Sequence, residues 1–428
     1  MLIQSTQRER LRSRRLRRNA EACMLIAMLG GPIGAYAASA DANPSMFSFS
    51  AFGTLGVVRS SENRADFTAS PLAPDGPGFT DAWSPDVDSR LGAQVMARFT
   101  EQLSAMLQVI SEQRYNDSYT PHVEWANITY QPIPELSLRV GRIVLPTFLI
   151  SDSRKVGYAN PWVRPPVEVY SLSPIFDSDG AYVSYQVHLG EVVNTVVGTY
   201  GQTSFGYPQG GQFTVKRLRV IADTVEYGAA TLHVAYQASS YTYHTLDPLF
   251  DGLRQFGPQG VALANKYSLD DKPARVITAG ALYDPGKWFV TGEWGQRSLH
   301  SAAGEVIAWY VSGGYRLKQF TPYLTYSRSK PDSNTSDPGL SLSGLPPSLA
   351  GAAAGLNAGL NSILGSLAAQ KTISVGSRWD VTKNVDFKVQ YDHINLGAGS
   401  AGTLINVQSD FQRGGTVNVA SIAIDFVW

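Results

Sequence analysis

Apolar and polar residues alternate with a period of two along almost the whole chain after residue 46. Side chains of a strand point to opposite faces in turn, so this pattern predicts strands with one apolar and one polar face. The C-terminal stretch shows it most plainly. Ala420, Ile422, Ile424, Phe426 and Trp428 share one parity, and Ser421, Ala423 and Asp425 hold the other. Val385, Phe387, Val389 and Tyr391 alternate in the same way with Asp386, Lys388, Gln390 and Asp392. Sixteen strands are predicted, at 47–59, 87–99, 102–113, 122–131, 135–143, 179–188, 191–201, 213–225, 228–240, 273–284, 286–298, 305–317, 319–329, 371–380, 384–396 and 417–428. Three of them, 122–131, 213–225 and 273–284, alternate poorly.

The connections have their own rhythm. Those after even-numbered strands are short, and most of those after odd-numbered strands are long: 60–86, 144–178, 241–272, 330–370 and 397–416. Short turns at one rim and long loops at the other are the plan of a transmembrane antiparallel β-barrel. An apolar outward face in lipid requires closure, because an open sheet edge leaves N–H and C=O groups unpaired at several kcal/mol each. A soluble sandwich or propeller gives no reason for the alternation of loop lengths. Tyr130, Trp288, Trp294, Trp379 and Trp428 suit the aromatic girdles at the two membrane interfaces. The expectation is therefore an all-β fold, one closed barrel of about sixteen strands over 41–428, wide enough for a water-filled lumen.

The first forty residues change the charge and the compartment. Arg8, Arg10, Arg12, Arg14, Arg15, Arg17 and Arg18 precede a short apolar run, and the small-residue sites Ala35-Tyr36-Ala37 and Ala38-Ser39-Ala40 follow it. That order reads as a signal peptide over 1–40, cleaved after Ala37 or Ala40. The whole chain carries 35 basic and 35 acidic residues; without this segment, 28 face 33. A net charge of −5 excludes a nucleic-acid-binding surface as the default. Cys23, the single cysteine, falls within the segment, so the mature chain has no disulfide or thiolate site.

The leader, the sixteen alternating strands, the terminal aromatic and the long third loop together resemble a Gram-negative outer-membrane porin. The stretch from Val140-Gly141-Arg142 through Asn160-Pro161-Trp162 to Val169-Tyr170 is similar to one in proteobacterial porin-like proteins. The resemblance implies a passive channel for small hydrophilic solutes or ions, narrowed where the third loop, 144–178, folds into the lumen. It also implies a homotrimer, contact with outer-membrane lipid and lipopolysaccharide, and recognition of the final strand, ending in Phe426 and Trp428, by the barrel-assembly machinery. A terminal Phe is more usual than Trp428.

The loop supplies candidates for a constriction: Asp152, Arg154, Lys155, Glu168 and Asp177, with Asp179 just beyond it. Charges of both signs at a narrow point create a transverse field that selects ions. Parity turns Arg90, Arg98 and Arg139 inward, where the expectation sets them opposite Asp152 or Glu168. Arg142 has outward parity, although a bulge at Gly141 would turn it in. No cofactor, metal or catalytic residue is expected. The six histidines are scattered without metal-ligand spacing, and the mature chain lacks a G-x-S-x-G elbow. The Ala- and Leu-rich segment 347–370 predicts a helix, so a gated channel with the 330–370 loop as lid is one alternative. A surface adhesin or anchor is the other.

Overall fold

The computed structural model describes residues 45–428; the expected signal peptide, 1–40, lies outside them. Among the described residues, sixteen strands close into one antiparallel barrel in sequence order. They are β1 (Phe47–Ser60), β2 (Arg90–Arg98), β3 (Leu103–Glu112), β4 (His122–Ile133), β5 (Leu136–Val144), β6 (Asp177–Leu189), β7 (Val192–Gly206), β8 (Gln212–Tyr227) and β9 (Ala230–Thr242). The circuit continues through β10 (Lys272–Tyr283), β11 (Trp288–Leu299), β12 (Glu305–Tyr315), β13 (Phe320–Pro331), β14 (Gln370–Thr382), β15 (Val385–Leu396) and β16 (Thr416–Val427). β16 pairs back onto β1, from Phe52 opposite Val427 to Ser60 opposite Val419, so the sheet has no free edge.

The outward face is the apolar one. Val140, Ile221, Leu324 and Val375 are more than half exposed, whereas inward Thr325, Ser327 and Gln390 are buried. No helix among the described residues is long and apolar enough to cross a membrane.

The three poorly alternating segments are strands, and each has a local cause. β4 meets shifts in register at Gln108/Val109 and at Tyr130/Ile133. β8 carries a bulge between Lys216 and Arg219, with Arg217 at φ 52°, so its parity reverses midway. β10 turns Ala274 and Val276 inward, where an apolar interior leaves little contrast between the faces. That interior departs from the polar inward face that alternation predicts. Val197, Val215, Leu218, Val220, Ala222 and Ala235 pack against Leu145 and Ile175, the two ends of the third loop.

Among the described residues, four α-helices lie in the loops: α1 (Val167–Tyr170), α2 (Asp247–Arg254), α3 (Gly257–Tyr267) and α4 (Pro347–Leu364). The helix expected in 347–370 is α4. Its Ala353, Leu360 and Leu364 form one apolar cluster with Phe250 and Leu253 of α2 and Leu263 and Ala264 of α3. Two long loops thus fold on each other above the barrel wall. α2 and α3 were not expected from the sequence, because their apolar positions are few and fall in a segment read as loop.

Val375→Arg, on the outward face of β14, should lower unfolding free energy in lipid vesicles by about 2–4 kcal/mol. Gln186→Arg, on the inward face of β6, should leave it nearly unchanged. Denaturant titration of the vesicle-inserted chain measures both, and equal costs would contradict the assignment of faces.

Candidate functional site

The third loop joins β5 to β6 over residues 145–176. Its side chains bond to the polar faces of β9 through β16, which a chain anchored at β5 and β6 reaches across the barrel interior. Near its start, Thr147 donates to Gln237 on β9 at 2.7 Å, and its carbonyl accepts from Thr278 on β10. The amide of Leu149 donates to Glu293 on β11 at 2.8 Å, and Tyr170 donates to the other oxygen of that carboxylate at 2.9 Å. Trp162 reaches Ser312 on β12 and Thr325 on β13 through its indole N–H, at 2.8 and 3.1 Å.

The strongest pins are ionic. Arg164 donates to both oxygens of Asp88 at 2.9 and 2.6 Å, to Asp392 at 3.2 Å and to Ser421 at 2.7 Å. Only 4% of Arg164 and 1% of Asp88 is exposed. Burial opposes the guanidinium's charge, yet Asp88 and Asp392 hold its pKa above the ordinary value. Glu168 accepts from Ser327 and Gln370, each at 2.7 Å, and from Thr372. Around Arg164 and Glu168 the remaining void is only ≈ 20 Å³, room for about one water.

A second group holds the short 3-10 turn Gly157–Ala159. Lys388 on β15 donates to the Gly157 carbonyl at 2.7 Å and pairs with Asp425 on β16 at 2.8 Å. A Cβ at Gly157 would collide with the Asp425 carboxylate, so the approach requires glycine. Arg378 on β14 donates to the Tyr158 and Asn160 carbonyls at 2.5 and 3.3 Å. It also lies 4.6 Å from the centre of the Tyr158 ring.

The loop leaves the opposite wall more open. Inward Thr129, Arg139, Tyr182, Ser184 and Gln186, on β4 to β6, are half-buried, and the loop's Asp152 is exposed. Arg139 lies 4.6 Å from the Tyr182 ring centre. Asp152 opens to the lumen but is flanked by protein, and this desolvation raises its pKa; the charge of Arg139 partly opposes the rise. Arg139 and Asp152 thus lie within electrostatic reach of each other.

The remaining candidates divide. Lys155 bridges Glu112 on β3 and Glu124 on β4 at 2.6 and 2.7 Å. Arg154 lies 3.8 Å from Glu124 and stacks over Phe176, and burial lowers its pKa to about 10. Arg90 approaches Glu112 at 4.0 Å, so it meets a wall acid and not a loop acid. Asp177, at the start of β6, sits in the field of Glu124, Lys155, Arg142 and Arg154. Glu112, Glu124 and His122 place ligand atoms within 4.8 Å of one another, but the Lys155 ammonium already supplies the cation between the two carboxylates.

Three further expectations are corrected. Arg98 lies at the short-turn end of β2, exposed, away from the loop acids. Glu168 is buried against β13 and β14, where hydroxyl and amide donors satisfy it, and does not face Arg90, Arg98 or Arg139. Asp179 lies on the outer face of β6, paired with Arg142 at 2.8 Å; the register of β5 runs unbroken through Gly141, so no bulge turns Arg142 in and it keeps its outward parity. Alternation in the sequence set Lys388 and Asp425 on the polar face, but identified neither them nor Glu293 and Arg378 as partners of the loop. Asp88, Glu112 and Glu124 were missed. Their signal was an acid at inward parity close to a long loop, which is too common to single out.

Arg164→Ala strands Asp88 and Asp392 without their cation, so it should lower unfolding free energy in detergent by about 3–5 kcal/mol. Lys330→Ala, an exposed unpaired residue on β13, should change it by less than about 0.5 kcal/mol. Similar small losses for both would mean that the loop is not pinned as described.

No protein-family model and no curated protein sequence matches the chain. Solved structures do. OmpF of Salmonella typhi, solved with daunomycin, is 13% identical with a TM-score of 0.54, covering 89% of this chain and 97% of that one. The anion-selective porin of Comamonas acidovorans is 11% identical with a TM-score of 0.51, covering 89% and 100%. The outer-membrane channel DcaP of Acinetobacter baumannii is 12% identical with a TM-score of 0.51, covering 90% and 99%. Sixteen closed antiparallel strands, an apolar outer wall and these likenesses agree: the chain has the fold of the Gram-negative outer-membrane porins.

Proposed function

We propose that the protein is a passive outer-membrane channel for small hydrophilic solutes or ions, and not an enzyme. The observation that carries the reading is the asymmetric filling of the barrel. The third loop is bonded tightly along β9–β16, while Arg139, Tyr182 and Asp152 border the less covered side. A path there passes between a guanidinium on the wall and a carboxylate on the loop, the transverse arrangement that orders water and biases ion passage. Arg90, Arg154, Lys155, Glu112 and Glu124 line the approach from the long-loop rim as a mutually neutralising cluster, with Asp177 beside them.

The long third loop does not behave as a gate in this reading, because breaking its buried ion pairs costs several kcal/mol each. The helix in the seventh loop packs on α2 and α3, which favours a fixed cover over a hinged lid. The homotrimer is retained as part of the proposal. Small outward residues Ala93, Ala97 and Ala105 on β2 and β3 permit close approach of a second barrel wall. The outward Phe426 and Trp428, whose rings lie 4.7 Å apart, remain the proposed signal for barrel assembly.

Planar bilayers containing the purified chain should show discrete conductance steps. Arg139→Gln should move the reversal potential in a salt gradient towards cation preference, and Asp152→Asn towards anion preference. A barrel that inserts without conducting would overturn the channel reading.

A pH dependence follows from Asp152. Its raised pKa means that protonation begins above the ordinary aspartate value of about 3.9. As pH falls through that raised value the loop loses a negative charge while Arg139 keeps its positive one. Anion preference should therefore increase on acidification in wild type. In Asp152→Asn this limb of the pH profile should be absent.

A further inference from the structure

Three side chains at the long-loop rim of β3 and β4 converge on one spot. Glu112 ends β3, His122 opens β4 and Glu124 follows two residues later. A bulge brings them together. Gln108 pairs with Trp125 and Val109 with Val123, so Glu124 is an extra residue on β4 with no cross-strand partner on β3. Counting back by twos from outward Ile128, Glu124 would face lipid. The extra residue turns it inward, onto the face of His122. There Glu124 is buried, while Glu112 and His122 remain half-buried.

The separations are those of ligands around one small cation. His122 Nε2 lies 3.4 Å from Glu124 Oε2 and 3.9 Å from Glu112 Oε1, and one ligand atom from each residue falls within 4.8 Å of the other two. Metal–ligand bonds of about 2.0–2.1 Å set tetrahedral ligands about 3.4 Å apart. The position between the two carboxylates is held by the Lys155 ammonium, 2.6 Å from the same Glu112 oxygen and 2.7 Å from the same Glu124 oxygen. Arg90 and Arg154 stand off at 4.0 and 3.8 Å.

Lys155 is a point charge on a flexible four-carbon stem, so its ammonium can leave this position without moving the third loop. The loop keeps its seat through Arg164 and Glu168, which bond to other strands. The ammonium bonds both carboxylates and leaves the imidazole aside. The other ring nitrogen, Nδ1, is buried without a hydrogen-bond partner among the described residues. No bond there fixes which nitrogen carries the proton, so Nε2 is free to present its lone pair to a metal.

We propose that Glu112, His122 and Glu124 form a zinc site, filled by displacement of the Lys155 ammonium. Two carboxylates balance the charge of a divalent ion. The imidazole nitrogen favours zinc over calcium and magnesium, which take six or more ligands, nearly all oxygen. The half-open side leaves the fourth position to water. A bound ion adds two positive charges to the approach from the long-loop rim. The inference goes beyond the channel reading, because binding requires only the folded barrel.

The test is equilibrium dialysis of the purified, tag-free full barrel in detergent against zinc, with bound metal quantified by elemental mass spectrometry. Magnesium and calcium serve as comparison ions. Wild type should bind one zinc per chain saturably and neither of the others at the same concentration. H122Q should lose at least about tenfold in zinc affinity, since even the indirect partners of metal ligands are worth about 10–100-fold. K155M should gain about tenfold, the factor expected when the resident cation holds the site about nine-tenths of the time. Equal affinity of wild type and H122Q overturns the site. A K155M variant that binds no more tightly than wild type overturns the displacement, because the metal then sits elsewhere. Equal uptake of calcium or magnesium overturns the zinc assignment. Each variant decides alone should the other fail to assemble. In planar bilayers zinc should move the reversal potential towards anion preference in wild type and not in H122Q. Dialysis needs no conduction, so failure of the channel reading and failure of this one are told apart.

Discussion

Backbone groups that face hydrocarbon must find their partners within the protein, and that requirement governs everything else in this chain. Only a sheet without edges satisfies it with strands. Closure of β1 onto β16 provides that, and it forces one face of every strand inward. The interior then becomes a private environment about which lipid has no say. Its two halves have been filled differently: an apolar region under the ends of the third loop, and a polar region pinned by Arg164, Glu168 and Lys388.

The polar region is held by charges taken out of water. Such ion pairs are weak contributors to net stability compared with well-packed apolar substitutes. They are, however, intolerant of partial loss, and that gives them another use. Arg164 satisfies Asp88 before β2, Asp392 on β15 and Ser421 on β16 in a single geometry. A loop anchored by groups from distant strands has one resting position.

The barrel was legible in the sequence because membrane immersion imposes a rule on every crossing. All sixteen expected strands exist, with boundaries displaced by a few residues. The irregular ones, β4 and β8, blurred because register shifts reverse parity within the strand. The site was only partly legible. Parity brought Arg139 to the inner wall and the loop brought Asp152 to it, but parity cannot say at what height a residue sits. Arg98 was misjudged for that reason, because it lies at the short-turn end; Asp179 was counted with the loop, whereas it is the third residue of β6 and shares the outward parity of Ala181 and Val183. The contacts of Glu168 depend on how the loop crosses the interior, and period-two alternation carries no information about that path.

Thr54 on β1 donates a hydrogen bond to Asp425 on β16, and Asp425 in turn pairs with the lysine that holds the Gly157 carbonyl. This small network straddles the junction between the first strand and the last. It has no complete form until the two ends of the polypeptide meet. The order of events during biogenesis is thereby constrained: the obstruction inside the cylinder reaches its final seating only after circumferential pairing is finished, so a chain still being threaded into the membrane holds that segment loosely.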